Sequence, residues 1–277
     1  MRNLLCAGFT RLWKNKTLWI ACAIVAVVTV IAILYRYSYG IKLEKHYTID
    51  SVFGYFVLCI AILIPVICTL FLGPEYADGT IRNKVICGHK KSVVYLSNLI
   101  LCSVASLIMC SVAVASGLCL GLPLLGKFAM GSKNATIFFL GVYTLSLSWS
   151  AIVTLLAMLV SNRAISAVVA IVIALLLLVL GFVLFEILSA GPTISGYFLA
   201  DNGVDLVYEE QPNPNYIPEG AGRQFLQFFC DFFPGGQTIQ YIYGELERPI
   251  MAIVWNGVLF TLATGVGLVL FYRKDIK

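Results

Sequence analysis

Residues 52–91 read VFGYFVLCIAILIPVICTLFLGPEYADGTIRNKVICGHKK. The apolar part, 52–73, is long enough to cross a bilayer as a helix, which takes about 20 residues. Two acids, Glu75 and Asp78, follow at the membrane exit, and basic residues then accumulate at Arg82, Lys84, Lys90 and Lys91. A linker that only returned the chain to the membrane would not need a Gly-Thr break before a basic segment. We therefore expect a short helix over 79–91 that contacts something in the cytoplasm.

The composition identifies the class of protein. Sixty per cent of the residues are hydrophobic and 12% are charged, which is typical of a membrane protein rather than a soluble one. Lipid cannot satisfy open backbone groups, so spans without polar strand alternation must be helices. We predict an all-α polytopic membrane protein whose residues 1–277 form a single transmembrane domain. Its six spans are 18–35, 52–73, 93–120, 136–160, 165–189 and 250–272.

The basic residues indicate the orientation, because Lys and Arg are enriched in cytoplasmic loops. If both termini are cytoplasmic, 12 of the 19 basic residues lie inside: Arg2, Arg11, Lys14, Lys16, Arg82, Lys84, Lys90, Lys91, Arg163, Arg273, Lys274 and Lys277. The first outer loop, with Arg36, Lys42 and Lys45, is more basic than this rule favours. The net charge of +5 then places a basic face against anionic lipid, not nucleic acid.

The nine cysteines do not indicate a metal site or a disulfide. Six of them lie inside predicted spans, where Cys acts as a small apolar residue. Cys87 and His89 are the one close Cys–His couple, and no further ligand lies beside them. Cys230, in the outer segment, has no outer partner. His46 is isolated as well, so we predict no metal.

The N-terminus carries an apolar stripe at helical spacing: Leu4, Leu5, Phe9, Leu12 and Trp13. Arg11 and Lys14 fall on the opposite side. This pattern predicts a helix over 2–15 that lies in the inner interface with its basic side toward headgroups. The alternative is an ordinary basic flank that fixes the topology.

The outer segment, 190–249, has two halves. The first is polar and rich in turn residues, such as Asp201-Asn-Gly, and predicts a loop. The second is apolar and aromatic around Pro234-Gly-Gly-Gln. It predicts two half-helices, 225–233 and 237–243, joined by a deep turn at Pro234, Gly235 and Gly236 that needs positive φ angles. The alternative is an aromatic belt resting on the interface, formed by residues such as Phe228 and Phe229.

These features together resemble the permease subunit of type-2 ABC exporters, the bacterial ABC-2 family. Glu75-Tyr-Ala-Asp-Gly-Thr-Ile-Arg-Asn-Lys resembles the family's E-x-x-x-G-T-I-R-N-K signature. Tyr95-Leu-Ser-Asn-Leu resembles its Y-L-S-K-L, with Asn98 where Lys is usual. Pro234-Gly-Gly-Gln237 resembles its P-x-G-Q turn before the last span.

The resemblance implies a separate ATPase subunit that carries the ATP and Mg²⁺. This chain has no Gly-x-x-x-x-Gly-Lys-Ser/Thr loop, so we expect neither a cofactor nor enzymatic activity in it. The resemblance makes 79–91 the coupling helix. Its candidate coupling residues are Glu75, Asp78, Gly79, Thr80, Arg82 and Lys84. Asp78 and Arg82 are spaced for an ion pair, and Lys84, Lys90 and Lys91 would face the ATPase or the lipid. The candidate outer gate is Phe228, Phe229, Pro234, Gly235, Gly236 and Gln237.

The resemblance further implies a second permease copy, either identical or related, with the path lined by spans two and five. Pro65 would bend span two. Glu186, near the outer interface, is the one acid inside a predicted span. An apolar lining favours export of a hydrophobic or amphipathic cargo (a peptide, a lipid-like molecule or a drug) across the bacterial cytoplasmic membrane. The alternatives are a peptide-immunity or sensory subunit that binds without transporting, and a secondary transporter.

Overall fold

The computed structural model of the chain describes residues 1–44, 47–199, 206–246 and 248–275. Four residues named above, Lys45, His46, Asp201 and Lys277, lie outside this part of the chain.

Within the described residues, six helices are long and apolar enough to cross a membrane. They cover the six predicted spans to within one residue, and the predicted all-α polytopic architecture is confirmed. Most extend by one or two turns beyond the predicted bounds, since helices continue past the hydrocarbon core. These helices are α2 (Lys16–Leu43), α3 (Asp50–Ala77), α5 (Lys91–Leu125), α6 (Gly131–Leu159), α7 (Arg163–Ser189) and α10 (Pro249–Arg273).

Four shorter helices complete the helical part: α1 (Arg2–Trp13), α4 (Thr80–Ile86), α8 (Ala221–Phe232) and α9 (Pro234–Tyr243). Local sequence explains several boundaries. The side chain of Asn15 caps α2 by accepting from the Thr17 amide at 2.9 Å, and Asn162 caps α7 in the same way. Pro234 and Pro249 open α9 and α10, where the missing amide hydrogen costs no helical bond.

The first half of the outer segment is not the loop that the turn residues predicted. It contains an antiparallel pair of strands, β1 (Thr193–Leu199) and β2 (Leu206–Pro212), with Thr193 opposite Pro212 and Leu199 opposite Leu206. β-Branched and aromatic residues within 193–199 favour extended backbone.

Helix α3 is the centre of the bundle. It packs against α2, α5, α6, α7 and α9. In the most apolar 18-residue stretch of α3, 67% of the residues are buried inside the chain. The corresponding share in α10 is 17%, so α10 lies at the periphery of the bundle. Phe53 and Ile64 of α3 belong to one continuous core with Tyr95 of α5 and Trp149 of α6. A shift of α3 would therefore reach most of the molecule.

Candidate functional site

Glu75, near the end of α3, is 2% exposed and bonded to three other helices. Its Oε1 lies 2.7 Å from Nη1 of Arg11 on α1 and 2.7 Å from Nζ of Lys84 on α4. Its Oε2 accepts a hydrogen bond from Nδ2 of Asn98 on α5 at 2.8 Å. We call these four residues the Glu75 hub. Because a buried carboxylate is unfavourable unless paired and hydrogen-bonded, the hub stabilises the relative positions of the four helices.

Arg11 reaches Glu75 because α1 packs closely on α5. A Cβ added at Gly8 would lie 2.3 Å from a terminal methyl of Leu101, so a larger residue at position 8 would require the Leu101 side chain to move. The Arg11 guanidinium also lies 4.1 Å from the ring centre of Phe71, one turn before Glu75. The prediction that Arg11 points to headgroups, away from the apolar side, is wrong. The contact through Nη1 gives the buried Glu75 carboxylate one of its two cations, whereas headgroup contact would leave Glu75 short of a partner.

Gly79 makes the sharp turn between α3 and α4. Its φ angle is +63°, and an added Cβ would meet nothing within 4 Å, so backbone conformation rather than space requires glycine there. Thr80 Oγ1 donates to the Glu75 carbonyl oxygen at 2.9 Å across this turn. The turn folds α4 back so that Lys84 reaches Glu75. Helix α4 ends at Ile86, earlier than the predicted 91, because Gly88 adopts a φ of +88°.

Two expectations for this segment are wrong. In the part of the chain that the structure describes, no ion pair joins Asp78 and Arg82, and both side chains are exposed. Asp78 caps α3 and lies before the turn at Gly79, so the two residues do not share one helix. Lys84 and Lys91 do not face outward either. Lys84 binds Glu75, and Lys91 Nζ donates to the carbonyl oxygens of Tyr272 and Lys274 at 3.1 and 2.7 Å.

A second polar cluster lies beside the hub and holds the end of α10. Tyr76 donates its hydroxyl hydrogen to the Met158 carbonyl oxygen at the end of α6. Lys274 Nζ lies 3.0 Å from the same oxygen and 3.2 Å from the Tyr76 hydroxyl. We call Tyr76, Lys91, Met158 and Lys274 the C-terminal clamp. It joins α3, α5, α6 and α10 next to Glu75.

At the other end of the bundle, α8 and α9 form a helical hairpin whose turn lies at Phe233. The prediction of a positive-φ turn at Pro234–Gly236 is wrong. These residues form the first turn of α9, and neither glycine is among the described residues with positive φ. Proline favours the first helical position, which moves the turn back by one residue.

Gly236 lies against α8, where an added Cβ would be 2.2 Å from the Cys230 carbonyl oxygen, and Gly235 lies at a close crossing of α9 and α7. A Cβ on Gly235 would lie 1.9 Å from the Leu177 carbonyl oxygen, and a Cβ on Gly181 would lie 2.4 Å from the Gly235 carbonyl carbon. Gly181 lies eight residues before the end of α7 at Ser189, about 12 Å along the helix axis. The turn of the hairpin therefore lies about two turns of helix from the Ser189 end of α7.

Helix α9 is buried from Pro234 to Tyr241 and is tied to α6 and α10 by polar side chains. Gln237, fully buried, accepts from Asn256 Nδ2 of α10 at 2.8 Å and donates to the Asp231 carbonyl oxygen at 2.6 Å. Ser148 of α6 donates to Asn256 Oδ1 at 3.0 Å. Interhelical bonds of this kind hold helices together in an apolar medium. Gln237 thus joins the hairpin to the last span.

Helix α8 carries the aromatic residues on a more open surface. Phe228 is exposed, Phe229 is half-buried, and the Phe228 ring lies 5.4 Å from Trp255 of α10. Helix α9 therefore lies inside the bundle, and α8 presents aromatic rings on its exposed side.

Sequence reasoning missed three site residues. Arg11 was assigned to the wrong side of α1, Asn98 was noted only as a departure from a motif, and Asp231 was overlooked among phenylalanines. Asp231 accepts hydrogen bonds from Gln227 and Gln240 at 2.9 and 3.0 Å near the turn of the hairpin. A buried carboxylate requires hydrogen-bond donors. This requirement at Glu75 is the signal in the sequence that could have predicted partners such as Arg11 and Asn98.

The family model for ABC-2 family transporter proteins matches residues 4–181, well over half of the chain. The chain belongs to this family. As an ABC-2 permease it is a multi-pass membrane component of an ABC transporter, and membership implies a partner ABC ATPase subunit. Among curated proteins none matches the chain.

The matched range of this ABC-2 permease runs from α1 into α7 and contains every residue of the Glu75 hub. The α8–α9 hairpin and α10 lie beyond it, so their part in the site rests on their geometry. Within the described residues, no group of three His, Cys, Asp or Glu is arranged to hold a metal ion.

Proposed function

We propose that this ABC-2 permease is the membrane subunit of an ATP-driven exporter. Its cargo is hydrophobic or amphipathic, such as a peptide, a lipid-like molecule or a drug, and the membrane is the cytoplasmic membrane of a bacterium. The observation that carries the proposal is the Glu75 hub, in which a buried carboxylate joins the short helix α4 to α1, α3 and α5. A force applied to α4 would reach all of them.

The proposed orientation puts the hub and both termini in the cytoplasm. The hub end of the bundle carries Arg82, Lys90, Arg163 and Arg273, which supports a cytoplasmic position. The β1–β2 hairpin and the α8–α9 hairpin then lie outside or in the outer leaflet. The position of the α8–α9 turn beside Gly181, below the outer end of α7, supports a re-entrant hairpin.

The outward side of α4 is the proposed docking surface for the ATPase subunit. It presents Arg82 and Asn83 together with Ile86, which is 70% exposed, and the exposed Asp78 lies beside it at the end of α3. A single exposed aliphatic side chain amid polar ones suits insertion into a small apolar pocket of a partner. Glu75, Gly79, Thr80 and Lys84 lie behind this surface, so their proposed role is to hold α4 rather than to contact the ATPase.

Two structural links support transmission from the hub to the outer hairpin. Helix α3 carries Glu75 at one end, and near its other end Gly54 touches the backbone of Ile242 on α9, 2.6 Å from where a Cβ would lie. Helix α10 is held by the C-terminal clamp at one end and by Asn256 near the other. Docking and ATP binding would favour one of two packings of the bundle, and the hairpin would follow.

The cargo path is proposed to lie between two permease copies, which closes the assembly by twofold symmetry. Spans two and five correspond to α3 and α7. Only a narrow strip of α3 is not covered by other helices, and it is formed by Tyr55, Leu58, Ile62 and Val66. The uncovered surface of α7 is broad and apolar. This asymmetry gives α7 the larger share of the proposed lining. The uncovered surfaces of both helices are apolar, which supports an apolar or amphipathic cargo.

The experiment uses the permease reconstituted in vesicles with its partner ATPase. Glu75→Ala should lower cargo movement per ATP hydrolysed while the subunits still assemble, because α4 loses its link to the core. Gly79→Val should act in the same direction, since a β-branched residue at positive φ costs about 1–2 kcal/mol. The matched control for Gly79→Val is Gly79→Asn, because asparagine tolerates positive φ.

Transport coupled normally to ATP hydrolysis in both Glu75→Ala and Gly79→Val would contradict the coupling role. Binding of cargo without ATP-dependent movement in the wild type would instead indicate a receptor or immunity subunit.

A further inference from the structure

Arg36, like Lys42, is a basic residue of α2 that the orientation rule leaves unexplained. It follows Lys16, the first residue of α2, by twenty positions. Twenty helical residues rise about 30 Å, which is the thickness of the hydrocarbon core. With Lys16 at the inner edge, as the proposed topology has it, Arg36 lies at the level of the outer headgroups. Several tyrosines surround it, as expected for an aromatic belt: Tyr35, Tyr37, Tyr39, Tyr47 and Tyr55.

A cavity of about 430 Å³ lies beside Arg36, between the end of α2, the segment before α3 and the end of α5. Arg36 Nη2 donates to the Tyr55 hydroxyl at 2.9 Å, and the guanidinium lies 5.3 Å from the ring centre of Tyr47. The Nε atom is buried and has no hydrogen-bond acceptor among the described residues. Because Nε is closed to solvent, a ligand in the cavity would contact the guanidinium through its Nη atoms.

Glu44 is the other charged residue that lines the cavity. Within the described residues it forms no ion pair with Arg36. Among the described residues that line it, the cavity therefore offers one positive group, Arg36, and one negative group, Glu44, that form no ion pair. A ligand that carries both charges fits this arrangement better than a purely anionic one, which the Glu44 carboxylate would repel.

We propose that this cavity binds the headgroup of a zwitterionic phospholipid of the outer leaflet, with its phosphate on Arg36 and its ammonium toward Glu44. The guanidinium fork matches a phosphate, and the faces of Tyr37 and Tyr47 suit an ammonium group. From the headgroup the acyl chains extend to the lipid-exposed side of α2, which is apolar at Val27, Ile31 and Leu34. A bound phosphate also explains an arginine on the face that basic residues usually avoid.

The test is lipid retention by the purified permease, measured by native mass spectrometry after incubation with phosphatidylethanolamine or phosphatidylglycerol of identical acyl chains. The wild type should retain phosphatidylethanolamine in preference. Arg36→Gln should reduce retention of both lipids about tenfold, because a charge-assisted hydrogen-bond pair is lost. Glu44→Gln should remove the preference and leave retention of phosphatidylglycerol unchanged or higher. Lys42→Gln, an exposed change on the same helix that does not line the cavity, should behave as the wild type.

If Arg36→Gln and Lys42→Gln retain the lipids equally well, Arg36 does not bind the headgroup and the proposed site is wrong. Equal retention of the two lipids by the wild type would overturn the zwitterionic assignment. Displacement of the lipid by excess inorganic phosphate would indicate a free-anion site and overturn the lipid assignment. Each variant is compared at the same elution volume in size-exclusion chromatography, which confirms folding. The measurement needs neither ATP nor cargo, so its outcome is separate from that of the exporter proposal.

Discussion

At the scale of single residues, Glu75 joins charges that come from distant parts of the chain. Two cations, Arg11 and Lys84, share one of its oxygens, and Asn98 donates to the other. Asn98 stands where the resembled motif usually has lysine. In this chain the positive charge at the site therefore comes from α1 and α4, and α5 supplies only a neutral donor.

This arrangement predicts a rescue between Arg11 and Asn98. Arg11→Gln should lower thermal stability by about 1–3 kcal/mol, because it removes one of two cations from a buried carboxylate. Adding Asn98→Lys in the Arg11→Gln background should restore much of the loss, since the new ammonium can reach Glu75. Fluorescence-detected thermal unfolding in detergent measures both effects. If the double variant is no more stable than Arg11→Gln, Asn98 and Arg11 do not act on the same carboxylate.

Lys274 predicts a pH dependence of stability. Burial lowers the pKa of Lys274 from its ordinary value of 10.5 to about 8. The unfolded chain then binds more protons than the folded chain between about pH 8 and pH 10.5, so unfolding becomes less favourable as the pH rises through this range. Between pH 7.5 and pH 9.5 the melting temperature of the wild type should rise relative to that of Lys274→Arg, because the arginine stays charged over this range. A relative loss over the same range would mean that hydrogen bonds to Tyr76 and Met158 outweigh burial.

At the scale of helices, the crossing of α7 and α9 depends on the absence of side chains. Gly181 and Gly235 bring the two backbones into contact, and the buried polar group Gln237 then meets Asn256 of α10. Small residues permit such close approaches between membrane helices, where dispersion contacts and hydrogen bonds provide the attraction. The hairpin is therefore an integral part of the bundle.

The crossing predicts an asymmetry among glycine variants. Gly235→Ala should destabilise the protein by about 1–3 kcal/mol, because the added methyl overlaps the Leu177 backbone. Gly257→Ala on α10 is the matched control, since its Cβ would meet nothing within 4 Å, and it should be neutral or slightly stabilising. Thermal unfolding of the two variants in the same detergent tests the contact. Equal melting temperatures would show that α9 does not pack on α7 as described.

At the scale of the whole molecule, the native cysteines offer a test of the proposed orientation. Cys6 on α1 and Cys87 after α4 are exposed at the hub end, and Cys230 of the outer hairpin is buried. A membrane-impermeant maleimide should label Cys87 only after cells are permeabilised, with Cys87→Ser as the control. Asn215→Cys, after the second strand, should be labelled in intact cells. Labelling of Cys87 in intact cells would reverse the orientation.

Hydropathy, charge and glycine positions in the sequence predict the number of spans and the break before α4. The six spans follow from apolar length, because a helix must be that long to cross hydrocarbon. Gly79, after the acids of the membrane exit, predicts the break that starts α4, since glycine readily adopts positive φ. These are local properties, and each depends on residues adjacent in the chain.

Which helices contact each other, and at which level along their axes, depends on the tertiary packing. The pairs Arg11–Glu75, Glu75–Asn98 and Gln237–Asn256 join separate helices, and the contact of Gly181 with Gly235 depends on how α7 is rotated. Hydropathy does not encode that rotation, because lipid tails are as apolar as a protein core and both sides of a span are therefore apolar. Buried polar groups and small residues distinguish the inner side from the lipid-facing side, and their partners are known only once the helices are packed.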